Sequence, residues 1–163
     1  MMQNRVLFTG FKKANEHDTS ASLELLKELN DKEKFLFTND YDSIDREIDK
    51  ILEEHWDKII MFGQKPALTR LSIERCASCD DTVLSTTWDL DEMCESLQKW
   101  GIDFKFSDNP GNYYCNHAYY QMLKQVADRG LDAKVLFIHI PYADRFRQFG
   151  RVVELLNNIE EEI

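Results

Sequence analysis

KVLFIHIPY, residues 134–142, is a nearly continuous apolar run interrupted by one imidazole, His139, just ahead of Ile140-Pro141. A run of this length and composition reads as a core strand. Outward from it, short apolar runs alternate with amphipathic stretches along the whole chain, the pattern of an α/β protein whose sheet is covered by helices. Strands are predicted at 5–9, 34–38, 58–62, around 71–77, at 103–107 and at 134–140, most of them enriched in β-branched and aromatic residues. Helices are predicted at 20–29, 43–54, 90–100, 114–127 and 145–159. Asp42-Ser43 is the expected cap of the second helix, whose Ile44, Ile48, Ile51 and Leu52 share one face. Gly101 and Gly130 are the expected stops of the third and fourth helices, because glycine tolerates the left-handed conformation found there.

The 163 residues suffice for one well-buried core and fall short of two ordinary domains, so residues 1–163 are expected to form a single domain. Hydrophobic residues at 43% and charged residues at 31%, with only 6 glycines and 3 prolines, exclude fibrous and low-complexity classes. A formal net charge of -10 repels phosphate backbones and acidic lipid surfaces, so neither nucleic acid nor a membrane is an expected partner. The opening MMQNRVLFTG lacks the apolar length of a signal peptide or a membrane span, which points to a cytoplasmic protein. In that setting Cys76, Cys79, Cys94 and Cys115 are expected as reduced thiols. The acidic stretch 160–162 reads as a solvated helix terminus.

Open α/β sheets place ligands at the carboxyl ends of their strands, and three segments carry reactive side chains there. In FKFSDNPGNYYCN (104–116) a strand ends at Ser107, a Pro110-Gly111 turn follows, and Cys115 arrives at the start of the next helix. A helix start favours the thiolate, lowering its pKa from about 8.5 toward neutrality, and offers N–H groups to an oxyanion. His139 on a core strand needs a partner, because an unpaired buried imidazole costs about 1–3 kcal/mol. A cysteine at a neighbouring strand–helix junction is such a partner, since Cys/His pairing is a route to an activated thiolate. Glu74, between apolar residues in LSIERCA (71–77), is placed to orient the imidazole and fix its tautomer. Each residue also has a structural reading: a buried thiol, a satisfied core histidine, a surface glutamate paired with Arg75. Cys76-Ala77-Ser78-Cys79 has a zinc-ligand spacing but no second pair, so no metal site is expected.

Taken together, LFTGF (7–11), GQ (63–64), IERCA (73–77), SDNPGNYYCNH (107–117) and FIHIPY (137–142) resemble the pyroglutamyl peptidase I family in order and register. The resemblance runs from about residue 4 to residue 142. It implies a three-layer α/β/α sandwich with a mostly parallel central sheet, phosphorylase/hydrolase-like. It also implies a Cys115–His139–Glu74 triad that removes an amino-terminal pyroglutamate, or a related small acyl group, from a peptide or small amide through a thioester. His117 is the competing base, and its place inside the helix begun by Cys115 disfavours it. Phe11, Gln64 and Tyr114 are the implied substrate-binding residues. No cofactor is implied, and a homo-oligomer is compatible with the family. The chain departs from the family pattern at Ala14, where an aromatic wall is missing, and at Leu68 and Leu84, which stand in place of arginines. These departures raise the alternative of a catalytically weak relative that acts as a small-molecule or protein binding module. A depressed Cys115 pKa is expected of the enzyme and an ordinary thiol of the binding module.

Overall fold

A computed structural model of the chain describes residues 4–159. In chain order these residues form β1 (Val6–Phe11), α1 (Ala21–Lys27), β2 (Glu33–Phe37), α2 (Tyr41–Ile51), β3 (Lys58–Gln64), β4 (Leu71–Glu74), β5 (Cys76–Cys79) and β6 (Thr82–Ser85). There follow α3 (Leu90–Lys99), β7 (Phe104–Ser107), α4 (Tyr114–Asp128), β8 (Lys134–Ile140), a 3₁₀ turn at Ala143–Arg145 and α5 (Phe149–Asn157). The acidic stretch 160–162 lies outside the described residues.

Six strands make one sheet in the order β2-β1-β3-β8-β4-β7. The sequence of β8 explains its central place. Val135 and Phe137 point to one face, Leu136, Ile138 and Ile140 to the other, and all five are buried. Burying each such side chain contributes about 1.5–3 kcal/mol. Helices α1, α3 and α5 cover the face of Leu136, while α2 and α4 cover the face of Phe137, which gives the expected three layers. Strands β2, β1, β3 and β8 are parallel, but β4 runs antiparallel to β8, and β7 follows β4.

The run expected around 71–77 is two strands. At Arg75, whose N–H still donates to Ser107 O at 2.8 Å, the chain leaves the sheet, and β5 turns back on β6 as a hairpin against α4. The turn between them, Asp80-Asp81, places Asp80 at a φ of +52°. Asp-Asp lacks the glycine that usually announces such a turn, which is why β6 gave no signal. The second helix starts earlier than expected. Its cap is Asp40, whose Oδ2 accepts from the Ser43 N–H and hydroxyl, each at 2.8 Å. The last helix starts later, at Phe149, because the chain first drops Phe146 into the core. Gly101 and Gly130 end their helices as expected, with φ of +66° and +63°.

Candidate active site

Cys115 is the second residue of α4, and its sulfur lies over β3. Gly63 makes this approach feasible: a Cβ built there would sit 2.5 Å from Cys115 Sγ and 2.9 Å from Phe137 Cζ. Gly63 is the register partner of His139 on β8, so sulfur and imidazole share one face of the sheet on adjacent strands. His139 and Glu74 form a buried pair, Nδ1 to Oε1 at 2.9 Å, with exposures of 3% and 0%. Because β4 is reversed, Ser72 stands opposite His139 and Glu74 opposite Phe137. The carboxylate, on the last residue of β4, therefore lies behind the imidazole and away from the cavity rim, because β4 runs against β8. With Nδ1 engaged by Glu74, Nε2 is the ring nitrogen left to exchange a proton.

Helix α4 is held firmly against this pair. Tyr119 donates its hydroxyl to Glu74 O at 2.8 Å, and the Asn116 side chain bonds Ser78 N and O at 3.0 and 2.8 Å. Tyr113 precedes the helix without capping it through its side chain, so the first-turn N–H groups have no side-chain acceptor there. His117 turns away from the thiol. Its Nε2 lies 2.8 Å from Asp45 on α2 and its ring packs edge-on against Tyr41, as its helical position predicted.

A cavity of about 290 Å³ opens in front of Cys115. Phe11, Gln64 and Tyr114 all line it. Phe11 is buttressed by Phe37 at 5.6 Å and Tyr114 by Tyr41 at 4.8 Å between ring centroids. Gln64 spends its Oε1 on the backbone, accepting from Ala21 N–H at 2.8 Å and from the Thr19 hydroxyl at 3.2 Å. It shapes the wall by tying β3 to the start of α1. Ala14 lines the cavity where the family has an aromatic wall, and Tyr142, which sequence reasoning left without a role, supplies a ring at the same cavity. Leu84 packs into the core beside α4.

The thiol is not a standing thiolate. Burial pushes the Cys115 pKa up to about 12, the Glu74 carboxylate adds to the rise, and Lys65 alone opposes it. This corrects the expectation of a depressed pKa. A helix N-terminus contributes only about 0.3–1 kcal/mol, less than one pKa unit, and cannot offset desolvation on this scale. Sγ makes no hydrogen bond among the described residues. Alkylation should therefore modify exposed Cys79 first, with the Cys115 rate climbing steadily as pH rises through the alkaline range. A Cys115 rate already at its plateau near neutral pH, followed by mass spectrometry of the tryptic peptides, would contradict the structure.

Cys76 and Cys79 stand three residues apart on β5 and so project to opposite faces, which removes the shared geometry that a zinc site needs. Cys76 donates to Asp108 O at 3.3 Å. No helix among the described residues is long and apolar enough to cross a membrane.

Comparison with known proteins agrees with the motifs. The family model described as pyroglutamyl peptidase matches residues 82–147. Pyrrolidone-carboxylate peptidase 1 of Caldanaerobacter subterraneus is 27% identical, over 85% of this chain and 82% of the relative. The pyrrolidone-carboxylate peptidase of a Thermoanaerobacter species is 28% identical over the same shares. Among solved structures, a mutant pyrrolidone carboxyl peptidase from Pyrococcus furiosus superposes with a TM-score of 0.83 at 21% identity, covering 97% of both chains. The pyrrolidone carboxyl peptidase of Thermus thermophilus also gives 0.83, at 17% identity and covering 97% of this chain and 100% of that one. At such identities the structures speak for the fold alone. Together with the ordered motifs, these comparisons show that the chain is similar to the pyroglutamyl peptidases along most of its length and shares their fold.

Proposed function

We propose that this protein is a cysteine peptidase that removes an amino-terminal pyroglutamate, or a closely related small acyl group, from peptides. The observation that carries the reading is the buried His139–Glu74 pair, bonded at 2.9 Å, on the same face of the sheet as a cysteine that opens onto a cavity. A pair so desolvated is costly as mere packing and useful as a proton relay.

In this reading substrate binding brings the acyl carbonyl to Cys115. His139 Nε2 takes the thiol proton as sulfur attacks, so the high resting pKa is met by coupled proton transfer. The tetrahedral oxyanion is stabilised by first-turn N–H groups of α4, each well-placed donor contributing about 3 kcal/mol. The C–N bond then breaks as His139 returns the proton to the leaving amine. Water next adds to the thioester, giving its proton to His139, and the C–S bond then breaks as His139 returns that proton to sulfur, releasing the acid and restoring the thiol. Glu74 keeps the imidazole in one tautomer and stabilises its charged form.

A flat, neutral lactam fits a cavity walled by Phe11, Tyr114 and Tyr142, where no cation is needed to bind it. A cytoplasmic setting, in which the four free cysteines stay reduced, suits the same chemistry. The purified protein is expected to release the reporter amine from a pyroglutamyl amide and to leave the corresponding prolyl amide intact. Equal rates on the two amides, or none on either, would overturn the assignment. The binding-module alternative is not favoured: the relatives are named as peptidases, and the raised resting pKa of Cys115, which taken alone would suit that alternative, is met in this reading by proton transfer to His139.

A further inference from the structure

We propose that Ser72 is a positioning residue for the His139–Glu74 pair, an inference that rests on the peptidase reading of this site. Ser72 is wholly buried on β4, between the apolar Leu71 and Ile73, and stands directly opposite His139 in the antiparallel register. Its hydroxyl donates to Glu74 Oε1 at 2.9 Å, the same oxygen that meets His139 Nδ1 at 2.9 Å. The other carboxylate oxygen, Oε2, is buried and has no hydrogen-bond partner among the described residues. Both donors thus converge on one oxygen.

The terminal torsion of a glutamate is soft, so one histidine contact leaves the carboxylate free to rock or to exchange its oxygens. Two donors fixed on one sheet face select a single orientation. Residues 72 and 74 project to the same side of β4, and the register sets His139 beside them, so the three-group arrangement is built into the strand pairing. The hydroxyl also stabilises the ionised carboxylate, as a donor to a charged acceptor in a dry site. Other titratable groups face this centre: Cys115 and Tyr119 from α4 and Cys76 from β5 all feel the Glu74 charge, and Cys115 also feels the charge of Lys65, just past β3.

The test measures Ser72→Ala and Ser72→Thr, each in the parent and in a Glu74→Gln background, with the pyroglutamyl reporter. Ser72→Ala is expected to lower kcat about 10-fold, the scale of a hydrogen bond to a charged group, with KM nearly unchanged. Ser72→Thr, which keeps the hydroxyl, recovers most of the rate. In the Glu74→Gln background Ser72→Ala adds no further loss, since the residue acts through the carboxylate. An equal loss in both backgrounds, or a threonine variant no faster than the alanine one in a protein of parental Tm, overturns the proposal. If the threonine methyl disturbs packing and lowers Tm, the alanine cycle alone decides. The His139 ring-nitrogen NMR signals supply a readout that needs no turnover: their chemical shifts must differ from the parent's in Ser72→Ala. Should the parent fail to cleave the reporter while these signals shift, the peptidase reading falls and the positioning role stands.

Discussion

Cys115→Ala is expected to abolish cleavage of a pyroglutamyl amide, with a loss of about four orders of magnitude or more in kcat, the scale seen when a covalent nucleophile is removed. The fold should survive. The substitution removes a single sulfur that borders the cavity in front of β3, so stability should change by about 1 kcal/mol or less. Cys79→Ala, on the exposed end of the β5–β6 hairpin, is the control and should keep the parental rate. Thermal melts and steady-state kinetics on the three proteins decide the matter. If the Cys115 variant turned over the amide at the parental rate, the reaction would not pass through a Cys115 thioester and the proposed chemistry would be wrong.

Gly63→Ala is the second large effect, and it comes from space alone. The backbone at Gly63 is not left-handed, so alanine meets no torsional obstacle. Its methyl, however, would stand 2.5 Å from Cys115 Sγ and 2.9 Å from Phe137 Cζ, both closer than atoms tolerate. Phe137 is fully buried between Tyr119 and His139 and has nowhere to go, so the sulfur must move. Overpacking of this kind costs about 1–3 kcal/mol, which a denaturant titration will read as a lower midpoint. A nucleophile displaced by about 1 Å loses on the order of 100-fold in rate. The expected signature is a kcat deficit much larger than the stability deficit would explain in a protein that is still folded. Parental kcat in a folded Gly63→Ala protein would show that the sulfur does not lodge against β3.

Much of the architecture was legible because its causes are local. The apolar alternation that marks β8 and the four-residue spacing of Ile44, Ile48 and Leu52 are properties of consecutive residues, and the structure keeps them as a central strand and a buried helix face. Gly101 and Gly130 were legible for the same reason: a helix end that requires positive φ selects glycine at one position. The hairpin at Asp80-Asp81 was hidden because aspartate adopts the left-handed conformation without announcing it. Tyr142 lay within a recognised motif, FIHIPY, yet nothing in the motif says which way its ring faces.

By residue type the sequence singled out Cys115, His139 and Glu74 as candidates, each with a structural reading beside it, and the resemblance to the pyroglutamyl peptidases joined the three into one expected triad. Tertiary structure alone decided that β4 runs backward, that Ser72 thereby faces His139, that Gly63 leaves room for sulfur, and that the resting thiol is neutral. Strand direction, close approach and desolvation all depend on residues far apart in the chain. A pKa is set by the groups folding packs around a side chain, and those neighbours leave no trace in the residues beside it.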